Sequence, residues 1–250
     1  MNIFYLRDSK FTSLGILFLY LIFLFISLFV YDDFGISTDE WVLRYEGLKN
    51  IKYISEIFFS NTVNEIDKII ARLDVFEYTS DDESRYYGSI FSIGAAFIEL
   101  FFNIDDSKDY YLLRHYFNHI IFLISNFYFF LLVKDRFNNI YWGILGALFL
   151  YLSPRIFAHS FYNYKDLLFL SLSIINLYYA LKFLEKPNTT ILILFSLFTA
   201  LSIDTRIMGI FLPFVIILFS YINYLRKSDN KIIIYLIYYI ILTPFLIILF

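Results

Sequence analysis

Long apolar runs separated by short polar breaks dominate the chain. FTSLGILFLYLIFLFISLFVY (11–31) and KIIIYLIYYIILTPFLIILF (231–250) each exceed the roughly 18 apolar residues that mark a membrane-spanning helix. The apolar positions are continuous and do not alternate. Of the two folds that satisfy backbone polar groups in lipid, this selects helices over barrel strands. The pattern predicts an all-α polytopic helix bundle, one transmembrane domain over 1–250. Its spans fall near 11–31, 112–133, 140–158, 167–184, 190–205, 207–225 and 231–250. GSIFSIGAAFIELFF (88–102) is short for a span and carries Glu99. In 61–77, Val63, Ile66, Ile69, Ile70, Leu73 and Phe76 recur at helical spacing, with Glu65, Asp67, Lys68, Arg72 and Asp74 opposite. This helix suits the bilayer surface or a soluble helical hairpin. The stretch 40–59 is a weaker version.

Basic residues set the orientation, because short cytoplasmic loops are rich in Lys and Arg. Arg7 and Lys10 precede the first span. If 88–102 does not cross, Lys134, Arg136, Lys182, Lys186, Arg226, Lys227 and Lys231 join them in the cytoplasm. If it crosses, all seven face outside. The first arrangement is preferred. It makes 88–102 an interfacial or re-entrant helix, 32–111 one large external loop, and 153–166 an external loop between spans.

Composition adds a few exclusions. The chain is 60% hydrophobic and 23% aromatic, with no cysteine, so disulfide and thiolate chemistry are absent. The net charge of −3 averages two sides of a membrane. The first apolar run is too long for a signal peptide and no small-residue cleavage site follows, so it reads as a signal anchor. No GxxxxGK[ST] loop, HExxH pair or basic tract is present, which argues against a nucleotide-driven pump, that type of zinc site and a nucleic-acid partner.

Three constellations carry chemistry. DDFGISTDEW (32–41) offers Asp32, Asp33, Asp39 and Glu40. The last two open the amphipathic region and are equally readable as helix N-terminal acids. SPRIFAHSFYNYKD (153–166) gathers Arg155, His159, Asn163, Lys165 and Asp166. Two cations, an amide and a carboxylate suit a phosphate-bearing ligand. The bland readings are a capping Asp166, a loop histidine and snorkelling cations. The third is Asp204 and Arg206 in DTR, with Arg114-His115 at the start of the second span. His115 and His119 lie four apart, and packing is their commoner role.

STDEW, YYGSIFSIGAAFIELFF, YLLRHYFNHIIFLI, LSPRIFAHSFYNYKDLLF and LSIDTRIMGIFLP, in this order, resemble the N-terminal half of a GT-C membrane glycosyltransferase. This is the class of protein O-mannosyltransferases and aminoarabinose transferases, with bacterial family-39-like relatives. The resemblance implies an inverting sugar transfer from a polyprenyl-phosphate donor to a protein, lipid or glycan acceptor, on the non-cytoplasmic face of a bacterial plasma membrane. It implies a catalytic acid at Asp39 with Glu40 beside it, and a second carboxylate at Asp166, which orients the acceptor or holds a divalent cation. The departing phosphate would meet some of Arg155, Lys165, Asn163, His159, Arg206, Arg114 and His115. The chain departs from many relatives at Tyr164, Leu167 and Leu168, where proline is common. Relatives are about twice as long, so the expectation is an N-terminal half. A transporter or flippase for a lipid-linked or anionic substrate, or an inactive fragment, are the competing readings.

Overall fold

The computed structural model describes residues 10–58, 63–72, 88–104, 106–227 and 230–249. Arg7, Leu73, Phe76 and the remainder of the stretch 73–77 lie outside them, as do the side chains of Lys10, Arg226 and Lys227. All regular structure among the described residues is helical. The elements are α1 (Lys10–Val30), α2 (Glu40–Phe58), α3 (Val63–Arg72), α4 (Ile90–Phe101), α5 (Ser107–Phe137) and α6 (Ile140–Tyr151). Then follow α7 (Pro154–Tyr162), α8 (Asp166–Glu185), α9 (Thr189–Thr205), a 3₁₀ turn at Ile207–Ile210, α10 (Phe211–Lys227) and α11 (Asn230–Leu249).

Three helices are long and apolar enough to cross a membrane: α5, α8 and, within α11, Lys231–Ile248; the bent pair α6–α7 counts as a fourth if taken as one span. Leu14–Val30, α9 and Ile207–Ile222 are shorter apolar helices. Phe18, Phe25, Phe149, Phe211, Phe214 and Ile241 point outward on several of these helices. An apolar surface of this extent belongs in lipid rather than water. The protein is an integral membrane helix bundle.

Local chemistry explains the turns. Asn138 closes α5 in the left-handed conformation (φ 49°) and Asn139 caps α6 by accepting from the Tyr141 N–H at 2.8 Å. Asn188 caps α9 in the same way through Ile191 N–H at 2.9 Å. The helices are held by buried polar contacts, the usual glue where lipid and side chain are equally apolar. Tyr20 Oη donates to Asn126 Oδ1 at 2.8 Å and Asn126 Nδ2 donates to the Ala147 carbonyl at 3.0 Å, joining α1, α5 and α6. Thr199 donates to Asn176 Oδ1 at 3.0 Å, linking α9 to α8.

The predicted span 140–158 and loop 153–166 need correction. The helix ends at Tyr151, and α7 leaves at 64° to α6. Pro154 causes the break. It lacks an N–H and its ring pushes the preceding residue out of the helical region. Ser153 is accordingly extended (φ −66°, ψ 112°) and Pro154 takes the first helical position of α7, where a missing N–H costs nothing. SPRIFAHSFYNYKD is therefore a short helix and a tight turn, not an irregular loop.

Helices α2, α3 and α4 form a small layer on one end of the bundle, around Leu48, Ile51, Ile66 and Ala96. Lys52 pairs with Asp67 at 2.6 Å across α2 and α3. The twelve residues of α4 span about 18 Å at 1.5 Å each, well short of a hydrocarbon core of about 30 Å. Gly47 lets α2 touch α4: a Cβ there would meet the Ser92 carbonyl oxygen at 2.3 Å. Gly47→Val is expected to cost about 1–3 kcal/mol by forced overpacking. Faster hydrogen exchange confined to α2–α4 is the check, and unchanged protection there would refute the close crossing.

Candidate active site

Helices α1, α6 and α9 finish, and α5 and α8 begin, at the same end of the bundle that carries the α2–α4 layer. The opposite end holds Lys134, Asp135, Arg136, Lys182 and Glu185, with Lys182 Nζ 2.9 Å from Asp135. The candidate site residues gather at the first end, in two tiers.

The outer tier reaches the surface through its two acids, with its cations partly buried. Asp39 sits on the turn before α2 with its side chain 67% exposed, and Lys165 Nζ lies 3.8 Å from its Oδ2. The next residue, Asp166, opens α8 and pairs with Arg206, which follows α9. Asn163 orients this turn: its Nδ2 donates to Asp166 Oδ2 at 3.1 Å and its Oδ1 accepts from the Asp166 N–H at 2.9 Å. Asn163 Nδ2 also lies 3.0 Å from His159 Nδ1. Lys165 and Asp166 are consecutive, so the Asp39–Lys165 and Asp166–Arg206 pairs, drawn from three separate segments, are one backbone step apart along the chain. Arg155 is exposed on the first turn of α7. It is about 12 Å of helix from Asn163 at 1.5 Å per residue, so it stands apart from this cluster.

The inner tier is buried and lies behind Asp39. The sequence pairs Glu40 with Asp39 as a second acid, whereas the structure separates them: Glu40 is 0% exposed. Its Oε1 accepts from the Ser37 N–H at 2.7 Å. Ser37-Thr38-Asp39-Glu40 thus makes one half of a capping box, in which an acid reaches back to the backbone N–H three residues before it. Glu40 Oε2 accepts from His115 Nε2 at 2.8 Å, and the Glu40 carbonyl accepts from Tyr164 Oη at 3.0 Å. Arg114 and His115, candidates for phosphate contact from sequence, are each 1% exposed and committed to carboxylates inside the protein.

Glu99, the anomalous charge in the apolar α4, is the centre of a buried ion cluster that sequence reasoning missed. Arg44 Nε lies 3.0 Å from Glu99 Oε1, and its Nη2 contacts the same oxygen. Arg114 Nη2 donates to Glu99 Oε2 at 2.8 Å. The Arg44 guanidinium lies 3.3 Å from the centre of the Tyr110 ring, a cation–π contact in a desolvated setting. The signal for Glu99 was its presence in an apolar helix, and Arg44 had none.

Tyr164 is buried behind the Ser37–Glu40 turn, 4% exposed. Its ring stacks on Phe91 at 4.9 Å. Burial first, and the Glu40 charge second, hold its phenol well above its ordinary pKa, so it remains a donor. Tyr164→Phe is expected to cost about 0.5–1.5 kcal/mol, the net worth of a neutral hydrogen bond; a loss of nothing in thermal unfolding would show that the bond is not made. The DTR motif contributes twice. Arg206 holds Asp166, and Asp204 lies against Gly88 at the start of α4. Gly88 allows that close approach, since a Cβ there would sit 1.9 Å from the Asp204 carbonyl oxygen.

No group of three or more His, Cys, Asp and Glu side chains converges among the described residues. Asp166 spends its oxygens on Arg206 and Asn163, so a divalent cation there would have to displace or share with them.

Searches of curated proteins and of solved structures return no match for the chain. A family model does match, described as dolichyl-phosphate-mannose-protein mannosyltransferase, over residues 92–250. The match starts inside α4, so it takes in Asp166 and Arg206 but not the STDEW turn. It covers more than half of the chain, which therefore belongs to the dolichyl-phosphate-mannose-protein mannosyltransferase family of membrane glycosyltransferases.

Proposed function

We propose that the protein transfers mannose from a polyprenyl-phosphate carrier to a hydroxyl of an acceptor protein, with inversion, and that Asp39 is the general base. The observation that supports this reading is that the ion pairs Asp39–Lys165 and Asp166–Arg206 are one backbone step apart on the turn that opens α8. The acceptor hydroxyl gives its proton to the Asp39 carboxylate. Its oxygen bonds to the anomeric carbon as the bond from that carbon to the phosphate oxygen breaks. The electron pair leaves on the phosphate, and Lys165 and Arg206 meet the charge as it develops. Asp166, held by Asn163, keeps Arg206 in place and faces the acceptor. The basic end with Lys134, Arg136, Lys182 and Lys186 faces the cytoplasm by the usual loop bias, so the site opens on the other side.

The test is direct. Purified protein is incubated with polyprenyl-phosphate-mannose and a serine- and threonine-containing peptide, and mannosylated peptide is quantified. Transfer is expected, and Arg206→Ala is expected to raise KM for the donor by about 10- to 100-fold, the worth of one charged hydrogen bond. Unchanged donor KM in that variant would remove Arg206 from the phosphate site.

A further inference from the structure

We infer that His115 is a positioning residue for the transfer reaction: acting through Glu40, it fixes the turn that presents Asp39. This rests on the reading of Asp39 as the base, and it is argued from contacts that do not involve Asp39.

An acid in a capping box ordinarily sits at the surface, because its second oxygen then has water. Glu40 is different. It is fully buried, and a buried carboxylate is costly unless both oxygens are met. Ser37 N–H meets one at 2.7 Å and His115 Nε2 meets the other at 2.8 Å. A carboxylate only accepts, so the hydrogen lies on Nε2. Among the described residues the other ring nitrogen, Nδ1, has no partner, so within them Glu40 receives the one hydrogen bond this imidazole makes. Arg114, the adjacent cation, is already engaged elsewhere. Its Nη2 is on Glu99 and its Nη1 donates to the Tyr110 carbonyl at 2.9 Å.

Glu40 is thus pinned three times: by Ser37 within the turn, by His115 of α5, and by Tyr164 at its own carbonyl. Asp39 is the residue immediately before it. Removing the imidazole leaves Oε2 buried without a donor. The carboxylate then regains a partner only by turning toward solvent, and the Ser37–Glu40 turn moves with it. A shift of about 1 Å at a catalytic group is enough to lower turnover about 100-fold. Of the phosphate-facing cations, Arg206 is held by Asp166 and not by the Ser37–Glu40 turn, so donor KM is expected to move much less than kcat.

The experiment compares His115→Ala, His115→Gln and the unaltered protein. The glutamine amide carries an N–H donor close to where the imidazole placed one. His115→Ala is expected to lower kcat about 10- to 100-fold with donor KM within about twofold. His115→Gln is expected to recover most of kcat. A second readout needs no activity. The chain has no cysteine, so Thr38→Cys on the exposed turn carries one nitroxide label. Its spectrum is expected to become more mobile with His115→Ala and to return with His115→Gln. If His115→Ala is not recovered from membranes, His115→Leu, which fills the site without a donor, takes its place. Unchanged kcat in the alanine or leucine variant, an unchanged label spectrum, or a glutamine variant no better than alanine would each overturn the inference. If Asp39→Asn were fully active, the transfer reading would fail, while the label at position 38 would still decide whether His115 holds the turn.

Discussion

Glu99→Ala is expected to cost about 3–5 kcal/mol, the penalty for stranding buried charge by removing one partner of a buried pair. Glu99 is 2% exposed and is the shared acceptor of Arg44 and Arg114, which are 4% and 1% exposed. Alanine leaves two guanidinium groups without a carboxylate in a place water barely reaches. The loss falls where three helices meet, since Arg44 is on α2, Glu99 on α4 and Arg114 on α5. The layer carrying the Asp39 turn is therefore expected to detach before the rest of the bundle unfolds. Hydrogen exchange should rise in α2 and α4 first, with a lower unfolding temperature in detergent. Replacing Arg44, Glu99 and Arg114 together with leucine removes the stranded charges and is expected to recover most of the loss. A Glu99→Ala protein as stable as the original would show that the cluster does not bind the layer.

Asp39→Asn is the second large effect, and it falls on turnover alone. A positioned general base is worth about 10²–10⁴-fold, and asparagine keeps the shape while losing the ability to take a proton. The change is made at an exposed position, so stability should move little. The 3.8 Å contact with Lys165 loses its ionic character, which for a long contact with a solvated acid is worth about 0–1 kcal/mol. Donor KM is expected to hold, because the phosphate is met by Lys165 and Arg206. Loss of kcat at constant donor KM separates a base from a binding residue.

Much of the frame was legible from the apolar runs. The predicted spans 112–133 and 167–184 fall inside α5 and α8, where length and composition agree. The stretch 88–102 was legible as too short to cross, and α4 is a twelve-residue helix packed on α2. Hydropathy read through the break before Pro154 because the residues on both sides are apolar, although the proline itself carried the information. In the site, sequence could nominate Asp39 and Glu40 but not tell them apart. That distinction depends on a histidine 75 residues away in sequence. Arg44 was invisible for the same reason: its partner lies 55 residues further along the chain, and an arginine on a weakly amphipathic helix is normally solvated.

The proposed transfer depends on Asp39 accepting the acceptor's proton beside a phosphate held by Lys165 and Arg206. The most direct measurement is mass-spectrometric quantification of mannosylated peptide and released polyprenyl phosphate, in equal amounts of Asp39→Asn and unaltered protein under saturating donor. Both products forming together in the unaltered protein, and both falling at least about 100-fold in the variant, is the expected result. Equal product in the two proteins would contradict the assignment of Asp39 as the base.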